Sequence, residues 1–188
     1  MTSPNPYAID TDTLSGMKPL RKVVYSIGSN LGDRLSNLQG AVDAIRDTPD
    51  VIVVDVSSVY ETAAVGGPED SPAFLNLVLV AETTLEPRTL LERAQAVEDA
   101  YGRDRSGGRW SARTLDVDLI LVGAATLDQP GLTLPHPLAG DRGFVLVPWS
   151  EVDPQGTLPG RQGTVADLAA TVDTSSVTRR DDLSIESD

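Results

Sequence analysis

The chain has 188 residues, no cysteine, one histidine and a formal net charge of −13. The absence of cysteine excludes disulfides, thiolate nucleophiles and cysteine-ligated zinc, and a single histidine excludes a multi-histidine metal site. The strong negative charge argues against a nucleic-acid partner and against binding to an anionic membrane surface. With 40% apolar residues the chain can form a real core, and its length predicts one domain with additional ends.

Both ends of the chain are rich in polar residues. Residues 1–20 contain no basic segment followed by an apolar one, which a signal peptide requires, and no apolar run approaches the length of a membrane span. We therefore expect a cytoplasmic protein. Separately, we expect it to be a monomer. Low apolar content predicts a disordered leader over 1–20 and a disordered acidic tail over 173–188, leaving residues 21–172 as the folded domain.

The hydrophobic pattern predicts an alternation of strands and helices between these ends. The predicted strands are Arg21–Ile27, Val51–Tyr60, Phe74–Thr83 and Thr114–Val122, and the predicted helices run from the cap Asp33 to about Thr48 and over Pro87–Tyr101. A short last helix is expected over Thr164–Val172. The order β-α-β-β-α-β is that of the ferredoxin-like, or split β-α-β, fold. We expect an α+β domain whose antiparallel sheet carries its helices on one face.

Two carboxylates interrupt the last predicted strand. Side chains alternate between the faces of a strand, so Asp116 and Asp118 should share one face with Ile120 and Val122. The other face should then hold Leu115, Val117, Leu119 and Leu121. Aspartate is depleted in strands and like charges repel, so the pair needs an explanation. A strand end in solvent is one, but a site for a hard divalent cation also accounts for the arginines that precede the pair.

Those arginines lie in the glycine-rich segment Gly102–Ala112 and directly after it. They are Arg103, Arg105, Arg109 and Arg113. Guanidinium groups on a flexible backbone are typical of a loop that closes over a polyphosphate, whereas the alternative is a surface loop with unrelated charges.

The remaining polar positions give weaker signals. Phe74 and Asn76 on one strand face suit a flat heterocycle, although a buried asparagine is often satisfied by neighbouring backbone. Gly28 and Gly32 indicate a turn with a close backbone approach or an ordinary strand-to-helix connection. From the residues alone, Gln95 and Glu98 are a solvated helix edge, and His136 between two prolines carries little weight.

Taken together, the motifs resemble the 6-hydroxymethyl-7,8-dihydropterin pyrophosphokinase family of folate biosynthesis. They are R-W-x-x-R-T-L-D-V-D-L from Arg109, I-G-S-N-L-G-D-R from Ile27, F-L-N from Phe74, and L-P-H-P from Leu134 followed by R-G-F from Arg142. The resemblance extends from about Lys22 to Val152. It implies a transferase that uses magnesium ions, two of them, to move pyrophosphate from ATP to the hydroxymethyl group of the pterin, releasing AMP.

The resemblance also implies roles for individual residues. It assigns both magnesium ions to Asp116 and Asp118, and pterin binding to Gly28, Thr62, Phe74, Asn76 and Phe144. It assigns ATP binding to Gln95, Glu98, Arg105, Trp110, Arg113, Leu119, His136 and Arg142. Arg103, Arg113 and Asp118 are the implied catalytic residues, and Asp118 accepts the hydroxyl proton. One departure is Ala112, which stands where the family usually has proline.

Two other functions remain open at this point. An RNA-binding module can have the same topology, but it needs exposed aromatic residues and a basic sheet face, and aromatic residues make up only 4% of this chain. A magnesium-dependent nucleotide hydrolase would explain the aspartates and arginines, but not Phe74, Asn76 and Phe144. ATP and the pterin are therefore the expected partners, with no nucleic acid and no membrane.

Overall fold

A computed structural model of the chain describes residues 18–63, 72–102 and 114–187. Its strands are β1 (Arg21–Ser29), β2 (Val51–Val56), β3 (Tyr60–Thr62), β4 (Phe74–Thr83), β5 (Asp116–Val122), β6 (Leu127–Gln129), β7 (Leu132–Leu134) and β8 (Val177–Arg179). Its α-helices are α1 (Arg34–Arg46), α2 (Pro87–Ala100), α3 (Gly143–Val152) and α4 (Val165–Ala169), with a short 3₁₀ helix over Ala139–Asp141. The side chain of Asp33 caps α1 by accepting a hydrogen bond from the Ser36 amide, as predicted.

The main sheet has β1 and β4 at its centre. The strand order is β5–β1–β4–β3–β8, β2 pairs with the other half of β4, and every pair is antiparallel. The predicted strand Val51–Tyr60 is interrupted after Val56. At this point the Ser57 hydroxyl accepts a hydrogen bond from the Val78 amide. With β2 and β3 taken as one interrupted strand, the order is that of the ferredoxin-like fold, which confirms the predicted class.

Helices cover both faces of this sheet, so the expectation of helices on one face is wrong. The first core cluster packs side chains of α1 and α2 against Ile27, Leu77 and other residues of the sheet. The second cluster packs side chains of α3 and α4 against the opposite face, where Val24 and Val78 lie. Both central strands carry apolar side chains on both faces, and burying the second set requires this second layer.

Strand β5 does not alternate along its whole length. Tyr25 pairs with Leu119, but Val24 pairs with Leu121, so Ile120 is an extra residue in the ladder. Leu115, Val117 and Leu119 share the first core cluster as predicted. Beyond the irregularity the faces exchange, so that Leu121 lies in the second cluster and Val122 in the first, opposite to the prediction.

The C-terminal residues are ordered into the fold, and the expectation of a disordered tail is wrong for 173–187. Strand β8 pairs with β3, and the side chains of Leu183 and Ile185 pack against the first core cluster. The Glu186 amide donates a hydrogen bond to the Gln39 side chain of α1. Leu183 and Ile185 become partly buried because the edge of β3 and helix α1 lie close to the C-terminal residues. Composition alone does not reveal this proximity. Residues 1–17 of the expected leader lie outside the described residues.

Within the described ranges, no helix has both the length and the apolar character needed to cross a lipid bilayer.

The structure explains Gly40, an unfavourable residue inside α1. A Cβ atom at this position would overlap the hydroxyl of Tyr101, which follows α2. Alanine is favoured over glycine in a helix interior by about 1 kcal/mol. We expect Gly40→Ala to lower the free energy of unfolding in the natural chain and to raise it by about 1 kcal/mol in a Tyr101→Ala background, where the overlap is gone.

Urea unfolding of the four proteins in this cycle measures both effects, with Tyr101→Ala alone as the control. An equal effect of Gly40→Ala in the two backgrounds would show that Tyr101 is not the reason for the glycine.

Candidate active site

One row of residues crosses three neighbouring strands at one end of the sheet. Gly28 of β1 is in register with Asp116 of β5 on one side and with Asn76 of β4 on the other. Because neighbouring strands lie about 5 Å apart, the Cα atoms of Asp116 and Asn76 are separated by about 10 Å. Asp118 lies two residues further along, in register with Ser26. The sheet therefore places the two carboxylates and the amide at the same end.

These side chains also share one face. Asp116 and Asp118 precede Ile120, and Phe74 and Asn76 precede Val78, at spacings of two residues. Both Ile120 and Val78 lie in the second core cluster, and Phe144 of α3 packs against that cluster. The half-buried rings of Phe74 and Phe144 thus belong to the same side of the sheet as the carboxylates. None of this grouping depends on the residues outside the described ranges.

Gly28 allows Asn76 to lie directly over the backbone of β1. A Cβ atom at Gly28 would be 2.8 Å from Asn76 Oδ1 and 3.4 Å from Cδ1 of Phe74. Asn76 is only 3% exposed, and its Nδ2 donates a hydrogen bond to Thr62 Oγ1 at 2.7 Å. The hydroxyl of Thr62 therefore sets the orientation of the amide, and the missing side chain of Gly28 leaves room for it.

Glu98 of α2 is a buried carboxylate on the other face. Its side chain is 5% exposed, and Oε2 accepts a hydrogen bond from the Val117 amide at 3.1 Å. Val117 lies between Asp116 and Asp118. Through this hydrogen bond, Glu98 fixes the outer edge of β5 at the position of the two aspartates. Interpreting Glu98 as solvated helix edge is wrong, because α2 packs against this edge, whereas Gln95 is exposed as that interpretation expected.

His136 and Arg142 lie at the end of the site near α3. The His136 amide donates to the Ile120 carbonyl at 2.8 Å, and Nδ1 accepts from the Leu138 amide at 3.2 Å. Burial, and next the positive charge of Arg142, lower the pKa of His136 below its usual value. The guanidinium carbon of Arg142 lies 5.4 Å from the centroid of the Phe144 ring, a cation–π distance. Leu119 differs from both, because its side chain is buried in the first core cluster.

Four of the predicted site residues lie outside the described residues. They are Arg103, Arg105, Trp110 and Arg113, together with Ala112 and the expected polyphosphate loop.

Asn37 of α1 is a contributor that the sequence reasoning missed. Its Nδ2 lies 3.1 Å from Ser29 Oγ, 3.0 Å from the Leu31 carbonyl and 3.2 Å from the Thr114 carbonyl. One amide thus ties the segment after β1 to the residues that lead into β5. The sequence does hold a signal for the burial of Asn37. It lies four residues before Ala41, a spacing that places both residues on the buried face of α1.

Asp116 and Asp118 offer oxygen ligands for a hard cation. In the parts of the chain that the structure describes, no three histidine, cysteine, aspartate or glutamate side chains group closely enough to form a metal site by themselves. Magnesium is commonly held by one or two carboxylates together with substrate phosphates and waters. The donor set therefore fits magnesium bound jointly with a phosphate ligand.

Comparison with known proteins gives this site its context. Residues 24–154 match the family model described as 7,8-dihydro-6-hydroxymethylpterin-pyrophosphokinase. The chain belongs to this family. The predicted resemblance is confirmed, and all the described residues of the row, with Glu98, His136 and Phe144, fall inside the matched range.

Relatives in the family are similar over most of their length. The 2-amino-4-hydroxy-6-hydroxymethyldihydropteridine pyrophosphokinase of Mycobacterium tuberculosis is 46% identical over 149 residues, covering 74% of this chain and 76% of the relative. The Mycobacterium leprae protein of the same name is 47% identical over 165 residues, covering 82% and 81%. That of Pseudomonas aeruginosa is 39% identical over 140 residues, covering 74% and 85%.

Solved structures support the fold. The Plasmodium falciparum HPPK-DHPS wild type with pterin and p-hydroxybenzoate superposes with a TM-score of 0.64 at 13% identity. The match covers 86% of this chain but only 44% of that one, so this chain spans less than half of the Plasmodium protein. An RNA-binding module would present an open sheet face, whereas residues of α3 pack on that face here.

The half-buried position of His136 predicts a pH-dependent contribution to stability. A lowered pKa in the folded state means that the unfolded state takes up the proton first, near pH 6.5. The contribution is therefore complete above about pH 6.5 and is lost as the pH falls from there towards the pKa of the folded state.

We expect the difference in unfolding free energy between the natural chain and His136→Asn to be constant from pH 8 to 7 and to decrease below about pH 6.5. Urea midpoints at each pH measure it, and asparagine keeps an acceptor for the Leu138 amide. A difference that stays constant to pH 5 would contradict the assignment.

Proposed function

We propose that this chain transfers the pyrophosphoryl group of ATP to the hydroxymethyl group of 6-hydroxymethyl-7,8-dihydropterin and releases AMP. The observation that carries the proposal is the row Asp116–Gly28–Asn76, which sets a carboxylate pair beside the amide of Asn76 and the ring of Phe74 at one end of the sheet. We use the term recess for the place where a flat heterocycle would lie against these groups. Membership of the pyrophosphokinase family supports the same reaction.

The pterin is the ligand that we assign to the recess at Gly28. The amide of Asn76 can pair with one edge of a pterin, because a side-chain amide presents both a donor and an acceptor. Thr62 holds that amide, and the rings of Phe74 and Phe144 offer apolar faces for stacking. A recess of this kind serves no purpose in a simple nucleotide hydrolase.

Asp116 and Asp118 are the residues that we assign to magnesium, with two ions bound. Two carboxylates beside a triphosphate repel it in the absence of a cation, and the loss of that repulsion favours binding of metal and nucleotide together. When bound, magnesium neutralises phosphate charge and polarises the transferred group. Glu98 fixes the strand between the two aspartates through the Val117 amide, which keeps their spacing constant.

The remaining assignments concern ATP and the catalytic step. We assign ATP binding to Gln95, Glu98, Arg105, Trp110, Arg113, Leu119, His136 and Arg142. Leu119 would act through its backbone, because its side chain is in the core. The pterin hydroxyl oxygen forms a bond to the β-phosphorus while the bond to the bridging oxygen of AMP breaks. We assign Arg103 and Arg113 to the charge that develops, and the Asp118 carboxylate to the hydroxyl proton.

The same proposal covers the setting of the enzyme. ATP and the pterin are its small-molecule partners, and we infer a cytoplasmic monomer with no nucleic-acid or membrane partner. The net charge of −13 supports the exclusion of nucleic acid.

The nucleotide product tests the reaction directly. We expect AMP, without ADP, from ATP and magnesium, and only when the hydroxymethyl pterin is present, because the β-phosphorus is the atom attacked. Chromatographic separation of the nucleotides measures this, with pterin lacking the hydroxyl group as the control. ADP in stoichiometric amounts, or AMP formed without pterin, would overturn the assignment.

The aspartates provide a second test. Asp116→Asn and Asp118→Asn should each reduce kcat by about 100-fold or more, since each removes one charge from a shared cation site. Asp128→Asn, an exposed aspartate of β6, is the matched control and should have the natural rate. Steady-state rates across a magnesium titration provide the measurement. A near-normal rate for either site variant at ordinary magnesium concentration would remove the metal assignment.

A further inference from the structure

The C-terminal segment, residues 173–180, lies outside the range 24–154 that the family model matches, yet it contacts elements of the site. Its strand β8 places Val177 in register with Thr62, the residue whose hydroxyl orients Asn76. The Arg180 amide then donates a hydrogen bond to the Val59 carbonyl at 2.8 Å, just before β3 begins. The backbone of β3 is therefore held between β4 on one side and β8 on the other.

Two successive arginines extend this contact in different directions. Arg179 lies 3.7 Å from a carboxylate oxygen of Glu151 in α3, the helix that carries Phe144. The same carboxylate accepts hydrogen bonds from the Tyr60 hydroxyl at 2.6 Å and from the Ser58 amide at 2.7 Å. Glu151 thus connects α3 with both β8 and the beginning of β3.

Arg180 reaches a second carboxylate. Its Nη1 lies 3.1 Å from Glu61 Oε2, and Nη1 of Arg34 lies 2.8 Å from the same oxygen. Arg34 also donates to the carbonyl of Ala73, the residue before Phe74. The network therefore joins β8, β3, the first residue of α1 and the beginning of β4.

The backbone of the segment also packs directly behind Phe144. A Cβ atom at Gly143 would be 2.8 Å from the Asp173 carbonyl oxygen and 3.3 Å from a methyl group of Val177. The missing side chain at Gly143 is what allows this approach. Phe144 is the next residue, so displacement of the segment or of the start of α3 would move the ring.

We propose that residues 173–180 are a positioning element of the pterin site, which sets α3 with Phe144 against β3 with Thr62. This inference rests on the proposed function. Exposed ion pairs of this kind contribute little to stability. Arg179 contacts α3 and Arg180 contacts β3. We therefore interpret the two arginines as fixing the distance between these elements, which form two walls of one recess.

The test compares single substitutions in the full chain. Gly143→Ala and Arg180→Gln should raise the KM for the pterin by about tenfold, because small displacements of binding groups have large effects, and should change the KM for ATP by less than about twofold. Arg180→Lys keeps a charge for Glu61 and should recover most of the loss. Arg88→Gln, which removes side-chain hydrogen bonds to Pro130 and Gln129 far from the recess, is the matched control.

Rates are measured well below the thermal midpoint of each variant, so that a loss of stability alone does not alter KM. Pterin affinity in the presence of a non-hydrolysable ATP analogue gives a second, rate-independent readout. Pterin-specific weakening that Arg180→Lys reverses supports the inference. Natural KM values in Gly143→Ala and Arg180→Gln, or equal increases for both substrates, overturn it. If the natural chain itself forms no AMP, the proposed function fails instead, and the pterin affinities alone decide the positioning role.

Discussion

Close approach of β4 side chains to the backbone of β1 at Gly28 determines how this site is built. Any side chain there would collide with Asn76 Oδ1 and press on the Phe74 ring. With glycine, a buried amide lies flat over the strand, oriented by Thr62, while Asp116 occupies the neighbouring position on β5. A heterocycle bound at the amide and a phosphate bound near the carboxylates would then be neighbours, which is what transfer between them requires.

The rest of the sheet keeps that row in register. Glu98 accepts a hydrogen bond from the Val117 amide at the outer edge of β5. The side-chain amide of Asn37 connects the segment after β1 to the Thr114 carbonyl. Both are buried polar groups whose hydrogen bonds would be costly to lose. They act on the two strands that flank Gly28. These two polar groups therefore lie on the side of α1 and α2, opposite to the face that carries Asp116, Asp118 and Asn76.

The second face of the sheet is covered by helices α3 and α4. Helix α3 carries Phe144 on this side of the sheet, with Arg142 at its N-terminus, while the C-terminal segment packs against Gly143. The ferredoxin-like sheet alone has an open face, which other proteins use for other ligands. Here α3 and α4 cover the part of that face where Val24 and Val78 lie, and Asp116, Gly28 and Asn76 form a row at its end.

Sequence alone determined the β-α-β-β-α-β order of the central elements, the cap at Asp33, the Asp116 and Asp118 pair, and the family, because periodicity and spaced motifs are local properties of the chain. It did not predict helix α3 or the short strands β6, β7 and β8. It failed where the outcome depends on a neighbour distant in sequence. The extra residue at Ile120 follows from the pairing of β5 with β1. The burial of Glu98 follows from the packing of α2 on β5. Residues 173–187 are ordered because the edge of β3 is available for pairing with β8. Those features arise from contacts between separate segments, and only the tertiary structure brings those segments together.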